Sequence, residues 1–172
     1  MKFGEFIEKF VKNNDRDNLS IEEYDQEITT SLSKTKKVLI TKEFENVISA
    51  LKNSQGGFHF VSGVAGTGKS TLINQINQIT NKKVMIVAPT GLAAITAGGI
   101  TIHSAFRLAP ALFHKAEYHS YKSPIFELLD ILIIDEISMV KSDLLDAINE
   151  SLQLHRDNKK PFGGVTVAVF GD

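Results

Sequence analysis

Gly63-Val64-Ala65-Gly66-Thr67-Gly68-Lys69-Ser70 fits the phosphate-binding pattern GxxxxGK[ST] at every specified position. The apolar run Phe58-His59-Phe60-Val61 leads into it, and Ser70 to Ile76 follows with apolar residues at Leu72, Ile73 and Ile76, which suits a helix. Strand, glycine loop and helix thus stand in the order such a site requires. Polyphosphate is held by backbone N–H groups pointing inward around it, reinforced by the positive end of the following helix, and glycine lets the backbone approach closely. Gly63, Gly66, Thr67, Gly68, Lys69, Ser70 and Thr71 are therefore the expected nucleotide-binding residues. Lys69 is expected to reach the β- and γ-phosphates as a point charge, and the Ser70 hydroxyl to ligate a bridging Mg2+.

Outward from the loop, the pattern is one of alternating strands and helices. Thr41 to Leu51 spaces Phe44, Val47, Ile48 and Leu51 as one helix face, and Asn53-Ser54-Gln55-Gly56-Gly57 closes it with turn residues. Strands are expected at Phe58 to Ser62, Val84 to Ala88, Ile131 to Asp135 and Val165 to Gly171, with a helix over Ser142 to His155. Strands apolar on both faces suit a parallel sheet covered by helices on each side, the α/β doubly wound class.

The run Leu128 to Ile134 ends in Asp135-Glu136, two carboxylates at the C-terminal end of a strand, the edge where open α/β sheets bind ligands. Asp135 is the expected partner of Mg2+ beside Ser70. Glu136 is placed to orient and deprotonate an attacking water, so that Lys69 and Glu136 are the catalytic candidates for nucleoside triphosphate hydrolysis.

A chain of 172 residues that is 42% hydrophobic buries one sizeable core. The expected division is a helical extension and linker over residues 1–36 and a P-loop domain over residues 37–172. Phe3, Phe6, Ile7, Phe10 and Val11 recur at helical spacing, Ser20 to Ser31 reads as a second short helix capped by Ser20 with Glu23 three residues on, and Ser31 to Lys37 reads as a linker. Cysteine is absent, which excludes disulfides, thiolate metal sites and cysteine nucleophiles. Acidic residues stand where a secretory signal would be apolar, and no window approaches a membrane span, so a soluble intracellular protein is expected. The net charge of −1 argues neither for nor against nucleic acid: residues 1–36 hold 6 Lys/Arg against 8 Asp/Glu and the rest 13 against 12.

Five segments taken together are more particular than a generic nucleotide site: Gly63 to Thr71, Ala88 to Ala94 (APTGLAA), Gly98 to Phe106 (GGITIHSAF), Ile133 to Val140 (IIDEISMV) and Pro161 to Asp172 (PFGGVTVAVFGD). In order and spacing they resemble the Pif (petite integration frequency) family of DNA helicases, RecD-like members of helicase superfamily one, from about Val38 onward. The resemblance implies a RecA-like first motor domain that uses ATP and Mg2+ to move 5′ to 3′ along single-stranded DNA, in repair, recombination, replication or telomere maintenance. It implies DNA contacts at Pro89, Thr90 and Gly91 and at Thr101, His103 and Ser104; small hydroxyls and backbone N–H groups at strand-to-helix turns grip phosphates without reading sequence. His103 and Phe106 are candidates to stack a base, and Phe106 is equally a core aromatic.

The stretch Phe113 to Lys122 alternates aromatic and basic residues, as a DNA-touching loop or a solvated one; a metal site from His114, Glu117 and His119 lacks supporting residues. Two departures from the family pattern stand out. Phe44 occupies the place of a glutamine that recognises adenine, and the next motif begins at Gly171-Asp172 without the glutamine that senses the γ-phosphate. The resemblance also implies a second RecA-like domain as partner, bearing arginines whose contribution in phosphoryl transfer is about 10³ to 10⁵ in rate. Without it, weak nucleotide binding and poor hydrolysis are expected, and neither Arg107 nor Arg156 stands in a motif that substitutes. Expected locations are the bacterial cytoplasm at the nucleoid, or the nucleus or mitochondrion of a eukaryote. The competing expectations are a stand-alone ATP-binding module and another P-loop ATPase, such as a loader or transposition protein.

Overall fold

The computed structural model describes residues 41–108 and 123–172. The expected elements of residues 1–36 and the Phe113 to Lys122 stretch, with His114, Glu117 and His119, lie outside the described residues.

Helix α1 (Lys42–Asn53) starts where the Thr41 hydroxyl accepts the Phe44 N–H at 3.4 Å, with Glu43 and Glu45 in its first turn and Lys52 in its last. Those charges complement the helix dipole at both ends. The described strands are β1 (Gly57–Ser62), β2 (Val84–Ala88), β3 (Ile100–Thr101), β4 (Ile131–Ile134) and β5 (Thr166–Gly171). They form one sheet in the order β1-β5-β4-β2-β3, and every pairing is parallel. Parallel neighbours require crossovers, supplied here by α2 (Lys69–Ile79), α3 (Gly91–Ala97), α4 (Ile102–Phe106), α5 (Pro124–Glu127) and α6 (Ser142–His155).

Side chains alternate across the sheet into two cores. Met85, Val87, Leu132, Ile134, Val167 and Val169 pack with Leu144, Ile148 and Leu152 of α6. Val84, Ile86, Ile131, Ile133, Ala168 and Phe170 pack on the opposite face with Ile48 and Leu51 of α1 and Leu72, Ile73 and Ile76 of α2. The protein is therefore an α/β doubly wound domain.

β2, β4 and β5 are buried throughout, as their apolar sequences require, whereas β1 departs from that expectation. Its Phe58 and Phe60 stay 50% and 59% exposed. β1 is the outer strand of the sheet among the described residues, and an edge position leaves one face short of a covering element. Phe58 still stacks on Phe162, with ring centroids 5.9 Å apart.

The edge of the sheet at the strand N-termini is locked by side chains. The Thr166 hydroxyl accepts the Gly56 N–H at 3.1 Å and donates to Ser54 Oγ at 3.1 Å, while Lys82 Nζ donates to the Ser54 carbonyl at 2.6 Å. Nearby, the Arg156 guanidinium donates to the carbonyls of Phe126, Glu127 and Leu129 at 2.6, 2.9 and 3.1 Å, and its Nε to that of Gly163 at 2.9 Å. Arg156 is thus a clamp between the end of α6 and the α5 turn. The opposite edge, where the strands end, carries the candidate site residues.

Candidate nucleotide site and strand-end turns

The glycine loop leaves β1 at Ser62 and is tied to the neighbouring strand end by the Gly63 N–H, which donates to the Gly171 carbonyl at 3.3 Å. Within the loop, the Thr67 hydroxyl donates to the Val64 carbonyl at 2.8 Å. Gly66 and Gly68 have φ of 82° and 90°, a left-handed backbone that side chains disfavour. A Cβ on Gly68 would also stand 3.1 Å from Phe44 Cζ, so α1 presses an aromatic ring against the loop. Phe44 therefore borders the phosphate loop and offers it no hydrogen-bonding group.

α2 begins at Lys69 with Gly68 as its N-cap, no side-chain cap and no acidic residue in its first turn. Its first amides therefore have no side-chain acceptor, and the dipole end faces the loop uncompensated. Ser70 lies half-buried in that first turn and Thr71 is exposed. The Lys69 ammonium donates to the carbonyls of Gly63 and, at 3.3 Å, Val64, and to Asp172 Oδ1 at 2.6 Å.

Asp135 and Glu136 follow β4 on the same edge and differ sharply in environment. Asp135 is buried at 5% exposure; its N–H donates to the Val87 carbonyl at 2.9 Å, and its Oδ1 accepts the Glu136 N–H at 3.0 Å. Burial pushes its carboxyl above the ordinary carboxylate range, against the opposing pull of that N–H and of the nearby Lys69 charge. Glu136 is exposed and holds a left-handed backbone at φ 54°, ψ 49°, costing on the order of 1–3 kcal/mol. The turn separates the two carboxylates, keeping one in the protein and putting the other in solvent.

The two further strand-end turns are built differently. Pro89 and Thr90 follow β2, and the Thr90 hydroxyl accepts the Ala93 N–H at 3.2 Å as N-cap of α3, with Gly91 exposed at the first helical position. Thr101 ends β3 and caps α4: its hydroxyl accepts the Ser104 N–H at 3.2 Å and donates to Ser104 Oγ at 2.8 Å. Each threonine oxygen accepts one amide of its own helix; Gly91 and Ser104 are exposed and His103 is half-buried. Phe106 is 6% exposed and stacks on Phe126 with centroids 4.9 Å apart, so its expected base-stacking option gives way to core packing.

Parallel strands bring all these residues to one edge: Lys69 and Asp172 touch, Asp135 feels the Lys69 charge, and the Thr90 and Thr101 turns lie beyond β4 on the far strands. Asp172 is the residue that sequence reasoning left without a role. The signal was available, since Asp172 ends an apolar strand as Asp135 does. Among the described residues, no cluster of three His, Asp or Glu side chains forms a ready metal cage. A hydroxyl–carboxylate pair such as Ser70 and Asp135 suits Mg2+, which keeps most of its waters and takes few protein ligands.

Residues 32–172 match the family model described as PIF1-like helicase. The ATP-dependent DNA helicase RRM3 of Saccharomyces cerevisiae is 34% identical over 151 residues, covering 81% of this chain and 21% of that protein. Human ATP-dependent DNA helicase PIF1 is 32% identical, covering 83% of this chain and 23% of its own length. The chain thus spans about a fifth of the curated relatives it matches. Among solved structures, the Pif1 helicase from Bacteroides in complex with ADP-AlF3 and single-stranded DNA superposes with a TM-score of 0.70 at 35% identity, covering 79% of this chain and 33% of that one. By that match over residues 32–172, and by these likenesses in sequence and in sheet, the chain belongs to the PIF1-like helicase family.

Proposed function

We propose that this chain is the ATP-binding motor domain of a DNA helicase that moves 5′ to 3′ along single-stranded DNA. The observation that carries this reading is the uncapped start of α2 behind the glycine loop, with Lys69 next to a strand end bearing Asp135 and Glu136. A helix start without a side-chain acceptor, a cation and a buried carboxylate together suit a magnesium-bound triphosphate. In this reading Gly63, Gly66, Thr67, Gly68 and Thr71 cradle the phosphates and Lys69 neutralises their charge. Ser70 and Asp135 hold Mg2+, the latter directly or through water. Glu136, exposed beside the buried Asp135, takes the proton from the attacking water.

The DNA track runs along the Pro89-Thr90-Gly91 turn and the Thr101, His103 and Ser104 turn. Capping uses each threonine oxygen as an acceptor, so the Thr90 O–H can still donate to a phosphate, beside backbone groups, Ser104 and His103. A second RecA-like domain in a longer protein closes over the nucleotide and supplies the missing arginine. The working location follows the DNA substrate: the bacterial cytoplasm at the nucleoid, or the nucleus or mitochondrion.

Hydrolysis by the longer protein is the test, measured with and without single-stranded DNA. Stimulation by the strand is the expected result. An ATPase indifferent to DNA defeats the helicase reading and leaves a nucleotide-binding module or another P-loop ATPase.

A further inference from the structure

Lys69 carries three N–H donors, and three oxygens already take them: the Gly63 carbonyl, the Val64 carbonyl and the Asp172 carboxylate. A phosphate that claims this ammonium must displace one of the three. The two carbonyls belong to the loop itself and move only if the loop moves. Asp172 holds the ammonium through a side chain, which can change rotamer without moving the loop. It is also the one anion of the three, so it cannot remain 2.6 Å from an ammonium bound to phosphate without facing that phosphate's charge.

We propose that Asp172 is a positioning residue for Lys69. Its carboxylate competes with nucleotide phosphate for the ammonium and so sets how tightly the loop captures polyphosphate. The placement is built into the fold: the Gly63 N–H to Gly171 carbonyl bond ties the loop to the end of β5, and the next residue is Asp172. Lysine and aspartate are 103 residues apart in sequence and meet because β1 and β5 are neighbours. The inference rests on the nucleotide-binding reading above and adds a specific sign to it: removal of a side chain that touches the catalytic lysine strengthens ligand binding.

The test is displacement of a fluorescent ADP analogue by ADP, without magnesium and at low salt, on the chain and its Asp172→Asn, Asp172→Glu and Lys69→Ala variants. Asp172→Asn is expected to tighten ADP by about two- to fivefold, the range of an exposed ion pair. Asp172→Glu, which restores the charge, returns affinity toward the parent. The gap between the parent and Asp172→Asn narrows as salt rises from about 0.05 to about 0.5 M, because the competition is electrostatic. A merely structural Asp172 gives the opposite sign, weaker binding, and that result or an unchanged affinity overturns the proposal. Asp172→Ser carries the same test should the asparagine variant fail to fold. Unchanged affinity in Asp172→Asn together with loss of binding in Lys69→Ala removes this inference alone; no ADP binding by the parent removes the phosphate-site reading with it.

Discussion

The phosphate loop and the two threonine turns sit on the same sheet edge, yet they treat their hydrogen-bonding groups in opposite ways. α2 starts without a side-chain cap, whereas α3 and α4 start with Thr90 and Thr101 hydroxyls bonded to the amide of their own third residue. A threonine cap satisfies one of the first amides of a helix, and the amides left over are met by water or a ligand. The difference teaches where the fold has reserved binding capacity. The first amides of α2 have no side-chain acceptor, and each threonine turn holds one amide of its helix.

The largest effect expected from this contrast is chemical. In the longer protein, Glu136→Gln should lower kcat by about 10²- to 10⁴-fold, the usual worth of a positioned general base, while nucleotide affinity is retained. Steady-state ATPase rates with parallel ADP titrations check both halves, and parental turnover removes Glu136 from the mechanism. Next in size, Lys69→Ala should weaken ADP by about 10- to 100-fold, the range of charged hydrogen bonds. Calorimetric titration measures this; an unaffected Kd breaks the contrast on the loop side.

On the other side of the comparison, Thr90→Ala and Thr101→Ala should each cost about 0.5–2 kcal/mol of stability, with ADP affinity unchanged. Urea unfolding read at equal m-values checks it, and a neutral effect would mean that the caps leave those hydroxyls for other work. The smallest effect concerns Asp135, whose raised carboxyl pKa means the folded state holds its proton more tightly than the unfolded chain. The sign follows: the folded chain binds more protons in that interval, so stability falls as pH rises from the ordinary carboxylate range through the raised value. Asp135→Asn removes that penalty and should raise the Tm by a few degrees at neutral pH without ligand, with little change at low pH. Melting curves across pH decide this, and a lower Tm at neutral pH contradicts the burial cost.

Much of the architecture was legible because its signals are local. Val84 to Ala88 and Ser142 to His155 form the strand and helix that their periodicity predicts, and Thr41 caps the helix it opens. What escaped depends on neighbours that the sequence does not list side by side. β1 looks as apolar as β5, but edge position is decided by sheet order, so Phe58 and Phe60 remain half-exposed. β3 has two residues and α4 five, too short for any period to register. Phe106 was open to two readings although Ile102 and Phe106, four apart, already marked a buried face; Phe126 makes the choice. Arg156 stood without a role, and four backbone carbonyls, three from the α5 turn and one from Gly163, give it one. In the site, the loop and the acidic pair were readable as motifs, whereas the Lys69–Asp172 contact follows only from β1 lying against β5.

The central claim is that binding capacity for phosphate is concentrated at the uncapped start of α2. Amide NMR of the isotope-labelled chain titrated with magnesium and ADP tests it most directly. The account predicts large shifts at the amides of Gly66 to Thr71 and small ones at Ala93 and Ser104, which the threonine caps hold. Silent loop amides, or shifts of equal size at the capped turns, would contradict it.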